Sequence, residues 1–194
     1  MKIGVLAYHG DVIEHVRATE GAAKKLGLDC QVVEARCAKD FEGMDGLIIP
    51  GGESTTFYKL SMRDNLFPKL RGLKGIFGTC AGAIMLAGKI HNEEEGQRTL
   101  GLMDIEVDRN AYGRQADSFE DDISTEFGPV HAVFIRAPKI RAAGAGVRPL
   151  AARKGEVIAC EQEKGGHYYL AACFHPELST TKFHEHFLRK LARL

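Results

Sequence analysis

The chain has 194 residues, 26 basic and 26 acidic side chains, a formal net charge of zero and 44% hydrophobic residues, the profile of a globular sequence of one-domain size. The balanced charge removes the electrostatic attraction on which non-specific nucleic-acid binding rests, and no apolar run approaches the roughly 20 residues needed to span a bilayer. The five cysteines are odd in number and none forms a C-x-x-C pair, which argues against a disulfide framework or a zinc knuckle.

Lys2 to Ala7 reads as a short apolar strand with no signal peptide ahead of it, so a cytoplasmic location is expected. Gly10-Asp11 is a turn in which Asp11 offers an N-cap, and Val12, Val16, Ala23 and Leu26 then recur at helical spacing until Gly27 ends the helix. Cys30–Val33 and Leu47–Ile49 are strands, the second stopped by Pro50-Gly51-Gly52. Helices follow at Thr55–Leu60 and Leu66–Leu73, then a strand at Gly75–Phe77 and a helix at Ala83–Lys89 directly after Cys80. This alternation, with nearly continuous apolar strands, indicates a parallel sheet covered on both faces.

The second half is richer in strands, at residues 100–109, 118–124, 130–135, 147–150, 156–162 and 168–174, with a hairpin turn at Gly165-Gly166. Some of these strands are expected to form an antiparallel extension beside the main sheet. A final helix over Thr181–Leu194 carries Phe183, Phe187 and Leu191 on one stripe. The expectation is one α/β domain over residues 1–194, a three-layer sandwich with a mostly parallel central sheet and a small antiparallel extension.

Gly78-Thr79-Cys80-Ala81-Gly82 has the form G-x-C-x-G between a strand and a helix, the cysteine counterpart of a nucleophile elbow. Small flanking residues tolerate the sharp turn that lifts the sulfur above the sheet, and the helix N-terminus favours thiolate there. The Ala81 N–H then points to where an oxyanion would form. Taken alone, the motif fits a buried cysteine in a glycine-rich turn equally well. Its partner is read from His175-Pro176-Glu177: Pro176 biases His175 toward an extended conformation, in which residues two apart share a face. Glu177 can then accept one ring N–H while the other nitrogen faces the thiol. Pro50-Gly51-Gly52-Glu53 is the expected source of a second oxyanion donor, from the Gly52 N–H.

Other features carry less. Cys30, Cys37, Cys160 and Cys173 lie in or near apolar runs, where a thiol behaves as a small hydrophobe. His184 and His186 are two apart on a helix and do not share a face, so a solvated surface is expected there rather than a metal site. Glu93-Glu94-Glu95 reads as a charged loop, and Arg136, Lys139 and Arg141 as a modest basic cluster.

Beyond the elbow and the H-P-E segment, the chain contains Pro50-Gly51-Gly52-Glu53-Ser54-Thr55-Thr56, Arg109-Asn110-Ala111-Tyr112-Gly113-Arg114-Gln115, Asp117-Ser118-Phe119-Glu120 and Phe134-Ile135-Arg136-Ala137-Pro138. With these it resembles the class I, triad-type glutamine amidotransferases nearly end to end, and among them the glutaminases that serve pyridoxal 5′-phosphate synthases. The resemblance implies a flavodoxin-like fold and hydrolysis of L-glutamine by Cys80, with His175 as base and Glu177 behind it. It implies glutamine contacts from Gly52, Glu53, Ser54, Arg109, Ile135 and Arg136, and a partner synthase subunit in a hetero-oligomeric complex that receives the ammonia. No cofactor or metal is expected. A glutaminase serving another synthase, or a cysteine-based sensor on the same fold, is the alternative. One position departs from the resembled family: this chain has His9 before Gly10, where a glutamine is usual.

Overall fold

The computed structural model describes residues 1–93, 95, 97–109 and 118–193. In chain order its elements are β1 (Lys2–Leu6), α1 (Val12–Leu26), β2 (Gln31–Ala35), β3 (Gly46–Ile49), α2 (Ser54–Arg63), α3 (Phe67–Arg71), β4 (Gly75–Thr79) and α4 (Ala81–Leu86). There follow β5 (Ala87–His91), β6 (Met103–Asp108), β7 (Phe119–Thr125), β8 (Gly128–Phe134), β9 (Lys139–Ala143), β10 (Val147–Arg153), β11 (Glu156–Lys164), β12 (His167–Ala172) and α5 (Lys182–Leu191).

Among the described residues the main sheet has the order β2-β1-β3-β4-β12-β11-β10-β7-β8. Strands β2, β1, β3, β4 and β12 run parallel, and β11, β10, β7 and β8 continue the same sheet antiparallel. The expected antiparallel extension is thus continuous with the parallel strands. A second, three-stranded sheet of β5, β6 and β9 stands beside it.

Alternation along the buried strands separates two apolar layers. Leu47, Ile49, Ile76, Tyr169 and Ala171 join one cluster with Phe57, Leu70 and Met85, whereas Ile48, Phe77, Leu170 and Ala172 join another with Ala22, Phe183, Phe187 and Leu191. Helices therefore cover both faces of the sheet, giving the expected three-layer sandwich. The Phe183–Phe187–Leu191 stripe of α5 is buried as the sequence predicts, and Gly27 caps α1 with a left-handed φ of 64°.

Several expectations need correction. The helix after Cys80 stops at Leu86, and Ala87–His91 pairs with β6 as β5 instead of continuing as helix to Lys89. Gly88 permits this, since a Cβ there would stand 3.0 Å from the Met103 carbonyl oxygen. Strand β9 was not expected at all; its burial is one-sided and brief, with Ile140 buried and residues 141–143 exposed. His184 is fully buried rather than solvated, and His186 bonds Glu161. Cys37 is exposed, unlike Cys160 and Cys173. Of the expected basic cluster of Arg136, Lys139 and Arg141, Lys139 pairs with Glu156 and Arg141 with Asp108. Residues 110–117, and with them most of the Arg109–Gln115 segment, lie outside the described residues, as does Glu94. No helix among the described residues is long and apolar enough to cross a membrane.

Candidate active site

The carboxyl ends of β1, β3, β4 and β12 converge on one crevice, the usual position of ligand sites in open α/β sheets. Strand β4 delivers Cys80, whose backbone N–H continues the ladder by donating to the Ala172 carbonyl at 2.8 Å. At Cys80 the chain turns sharply, with φ 48° and ψ −106°. For a residue with a side chain this conformation costs about 1–3 kcal/mol, and such strain clusters at functional sites. The flanking glycines have a packing reason. A Cβ on Gly78 would lie 2.4 Å from the Gly82 backbone, and one on Gly82 would lie 2.0 Å from the Ile49 carbonyl oxygen. Only glycine lets α4 start this close to β3 and β4.

Strand β12 leads through Phe174 to His175, whose N–H donates to the Val133 carbonyl of β8 at 2.9 Å. Nδ1 of His175 lies 2.8 Å from Oε1 of Glu177, the side-by-side placement expected of the pair, but Pro176–Leu178 forms a 3-10 turn in place of the extended backbone expected to produce it. Gly51 packs against the imidazole: a Cβ there would meet Cε1 at 2.3 Å. Burial disfavours the imidazolium, but hydrogen bonds to Asp11, to Cys80 and to Glu177 outweigh it and push the His175 pKa up. The thiol of Cys80 also donates to the Ile135 carbonyl, Sγ to O 3.7 Å.

Asp11 is a group the sequence reading placed elsewhere. It stands before α1, but its side chain makes no capping bond. Its Oδ2 lies instead 3.0 Å from Nδ1 of His175. Among the described residues Asp11, His175 and Glu177 are also the one group with the spacing of metal ligands, their donor atoms lying within 4.8 Å of one another. Both carboxylates meet the same ring nitrogen at hydrogen-bond distance, so its N–H fills the place a cation would take.

A cavity of about 440 Å³ is lined by His9, Gly10, Asp11, Gly52, Glu53, Ser54, Cys80, Ala81, Ile84, Arg109, Ile135, Arg136 and His175. The structure thereby brings together every residue the sequence reading selected except Glu177, which lies behind His175 and is almost wholly buried. Arg109, in the lining of the same cavity, donates to Oε1 of Gln97 at 3.2 Å and reaches Glu53 at 3.5 Å. Gln97, a buried residue that the sequence reading missed, donates in turn to Ser54 Oγ at 2.8 Å. Arg136 adopts a left-handed φ of 46° and is exposed at the mouth. His9 stacks on Phe57 with ring centroids 4.2 Å apart and covers Gly52, whose Cβ would fall 2.4 Å from Nδ1 of His9.

Behind the triad positions lies a second polar layer. Glu177 Oε1 is 3.3 Å from Nε2 of His15, which is also 2.9 Å from the hydroxyl of Thr79, while Nδ1 of His15 is 2.9 Å from Nε2 of His184. A buried carboxyl would ordinarily resist ionisation. Attraction and hydrogen bonding from His15, then from His175, nevertheless hold Glu177 well below the usual carboxylate range.

Comparisons with known proteins agree in sequence and in fold. The family model described as the SNO glutamine amidotransferase family matches residues 5–193. The chain is 45% identical over 202 residues to a pyridoxal 5′-phosphate synthase subunit PdxT of Korarchaeum cryptofilum, covering 98% of each chain. It is 47% identical over 195 residues to the subunit of that name from Niallia circulans, covering 97% of this chain and 96% of that one. A solved structure described as a glutamine amidotransferase superposes with a TM-score of 0.83 at 42% identity, covering 99% of both chains.

Proposed function

The chain belongs to the SNO glutamine amidotransferase family, and from that membership we propose that it hydrolyses L-glutamine to L-glutamate and ammonia and hands the ammonia to a pyridoxal 5′-phosphate synthase subunit. The whole chain serves as one glutaminase domain. The observation that supports this reading most is the single cavity that holds Cys80 at its strained elbow, His175 and the polar wall of Ser54, Glu53 and Arg109.

Glutamine enters with its α-carboxylate toward the guanidinium of Arg109 and its α-ammonium toward Glu53, with Gly52, Ser54, Ile135 and Arg136 completing the lining. The side-chain amide then faces Cys80. Sγ attacks the amide carbon while His175 takes the thiol proton, and the carbonyl π pair moves onto oxygen. The backbone N–H groups of Ala81 and Gly52 hold the oxyanion, each donor being worth roughly 10²–10³ in rate. Collapse of the tetrahedral intermediate expels the amide nitrogen, which takes the proton from His175 and departs as ammonia. Water, deprotonated by His175, attacks the glutamyl thioester; collapse of the second tetrahedral intermediate breaks the C–S bond, the sulfur of Cys80 takes back the proton from His175, and glutamate is released. Glu177 holds Nδ1–H of the ring, so that Nε2 is the nitrogen that exchanges a proton with the thiol.

Ammonia released to water near neutral pH is largely protonated and lost as a nucleophile. Direct delivery to a synthase bound in a hetero-oligomeric complex avoids that loss. The test is co-purification combined with a glutamate-release assay, with and without a pyridoxal 5′-phosphate synthase subunit. Recovery of that subunit and stimulated release are the expected result; recovery of a different acceptor synthase would overturn the partner assignment.

A further inference from the structure

We propose that His15 is a positioning residue of the reaction, locking the carboxylate of Glu177 beneath the imidazole of His175; this rests on the reading of Cys80, His175 and Glu177 as the reacting and orienting groups. His15 does not line the cavity. It sits one helical turn beyond Asp11, its N–H donating to the Asp11 carbonyl at 3.1 Å. The N-terminal end of α1 thus places the side chain of Asp11 against His175 and that of His15 against Glu177.

The ring is fully buried and uses both nitrogens. Nε2 faces Oε1 of Glu177 at 3.3 Å and Thr79 Oγ1 at 2.9 Å, and Nδ1 faces Nε2 of His184 at 2.9 Å. Tautomers follow from the partners. His184 is fully buried with no partner for its Nδ1 among the described residues, and burial pushes its pKa down to about 3, so it is neutral. A neutral His184 that donates from Nε2 leaves only a bare acceptor at Nδ1. The reverse arrangement would bury an unpaired N–H there, at a cost of about 1–3 kcal/mol. His184 therefore donates to Nδ1 of His15, and Nε2–H of His15 is left as a donor between Glu177 and Thr79.

This arrangement bears on catalysis rather than on packing alone. Oε2 of Glu177 has no partner among the described residues, so Oε1 carries the bonds that fix the carboxylate. Thr79 immediately precedes Cys80. One imidazole therefore ties the strand that delivers the nucleophile to the carboxylate that orients the base. Two apolar side chains would fill the same space without the cost of burying two imidazoles.

The experiment uses the full chain with a pyridoxal 5′-phosphate synthase subunit for glutamate release, and the free chain for the rate of Cys80 alkylation by iodoacetamide. His15→Leu is expected to lower kcat about 10- to 100-fold, the usual range for a partner one shell out, with KM for glutamine unchanged and Cys80 alkylation slowed. In His15→Gln the amide nitrogen stands where Nε2 was, and most of the loss is expected to be restored. If His15→Leu does not fold, His15→Asn replaces it, since its amide is too short to reach Glu177. Wild-type kcat in the Leu or Asn variant, or equal impairment with and without the Gln rescue, would overturn the proposal. Turnover persisting in Cys80→Ala would instead remove the reading on which it rests.

Discussion

Oδ2 of Asp11 lies 3.0 Å from Nδ1 of His175. Glu177 approaches the same nitrogen at 2.8 Å, so one N–H is shared between two carboxylates. Burial lowers the affinity of the ring for a proton, but Asp11, Cys80 and Glu177 together raise it above the ordinary value. A histidine whose folded pKa is raised contributes stability that is fully present below its unfolded value of about 6.5 and is lost as pH rises through the folded value. Asp11→Asn keeps an acceptor but removes the charge, so the folded pKa should fall and that window should close at lower pH. An NMR titration of the His175 ring, assigned against the His175→Asn spectrum, checks this. An unchanged midpoint would contradict the shared-proton arrangement.

Glu177 gives the opposite sign. Its burial raises the pKa, yet His15 first and then His175 hold it below the unfolded range. The stability this contributes is present above the unfolded value of about 4.3 and is lost as pH falls through the folded value. Thermal unfolding of wild type and Glu177→Gln across acidic pH should show their difference in stability shrinking as the pH drops. A constant difference would show that the carboxylate is not held ionised by its two histidines.

Two glycines separate chemistry from packing. A Cβ on Gly51 would press on a side chain, Cε1 of His175 at 2.3 Å, whereas one on Gly82 would press on backbone, the Ile49 oxygen at 2.0 Å. Gly51→Ala should therefore displace the base and cost on the order of 10²-fold in kcat with little change in Tm. Gly82→Ala should cost about 1–3 kcal/mol of stability, each kcal/mol lowering Tm by about 2–4 °C in a chain of this size. Parallel kinetics and calorimetry check both, and a reversed pattern would contradict the packing described.

Arg109 is the cation proposed to receive the α-carboxylate of glutamine, and Gln97 and Glu53 hold it in place. Lysine keeps the charge but loses the planar fork. Arg109→Lys should raise KM about tenfold, equivalent to 1.4 kcal/mol, and change kcat much less. Steady-state kinetics decide it: a fall in kcat at constant KM would place Arg109 outside substrate binding.

The turn at Cys80 and the pairing of His175 with Glu177 were legible because local rules favour them. Glycines two positions to either side of Cys80 permit the sharp turn, and a proline after His175 restricts its backbone, whatever the rest of the chain does. The parallel strands were legible from unbroken apolar runs such as Leu47–Ile49. What the sequence concealed depends on tertiary approach. Asp11 has the residue type and position of an N-cap, and only the arrival of the Pro176–Leu178 turn beside α1 turns it to His175. His15 and His184 are 169 positions apart, and each alone reads as a polar residue of an amphipathic helix. Strand β5 was hidden because Ala87-Gly88 carries no strand pattern until β6 lies alongside.

The most direct measurement of the central claim is glutamate release by wild type and Cys80→Ala, assayed side by side with a pyridoxal 5′-phosphate synthase subunit present. Removing the nucleophile from a unit of this kind costs on the order of 10⁶ in kcat, so release by Cys80→Ala should fall to the background rate. Release by Cys80→Ala at the wild-type rate would contradict the assignment of Cys80 as the nucleophile.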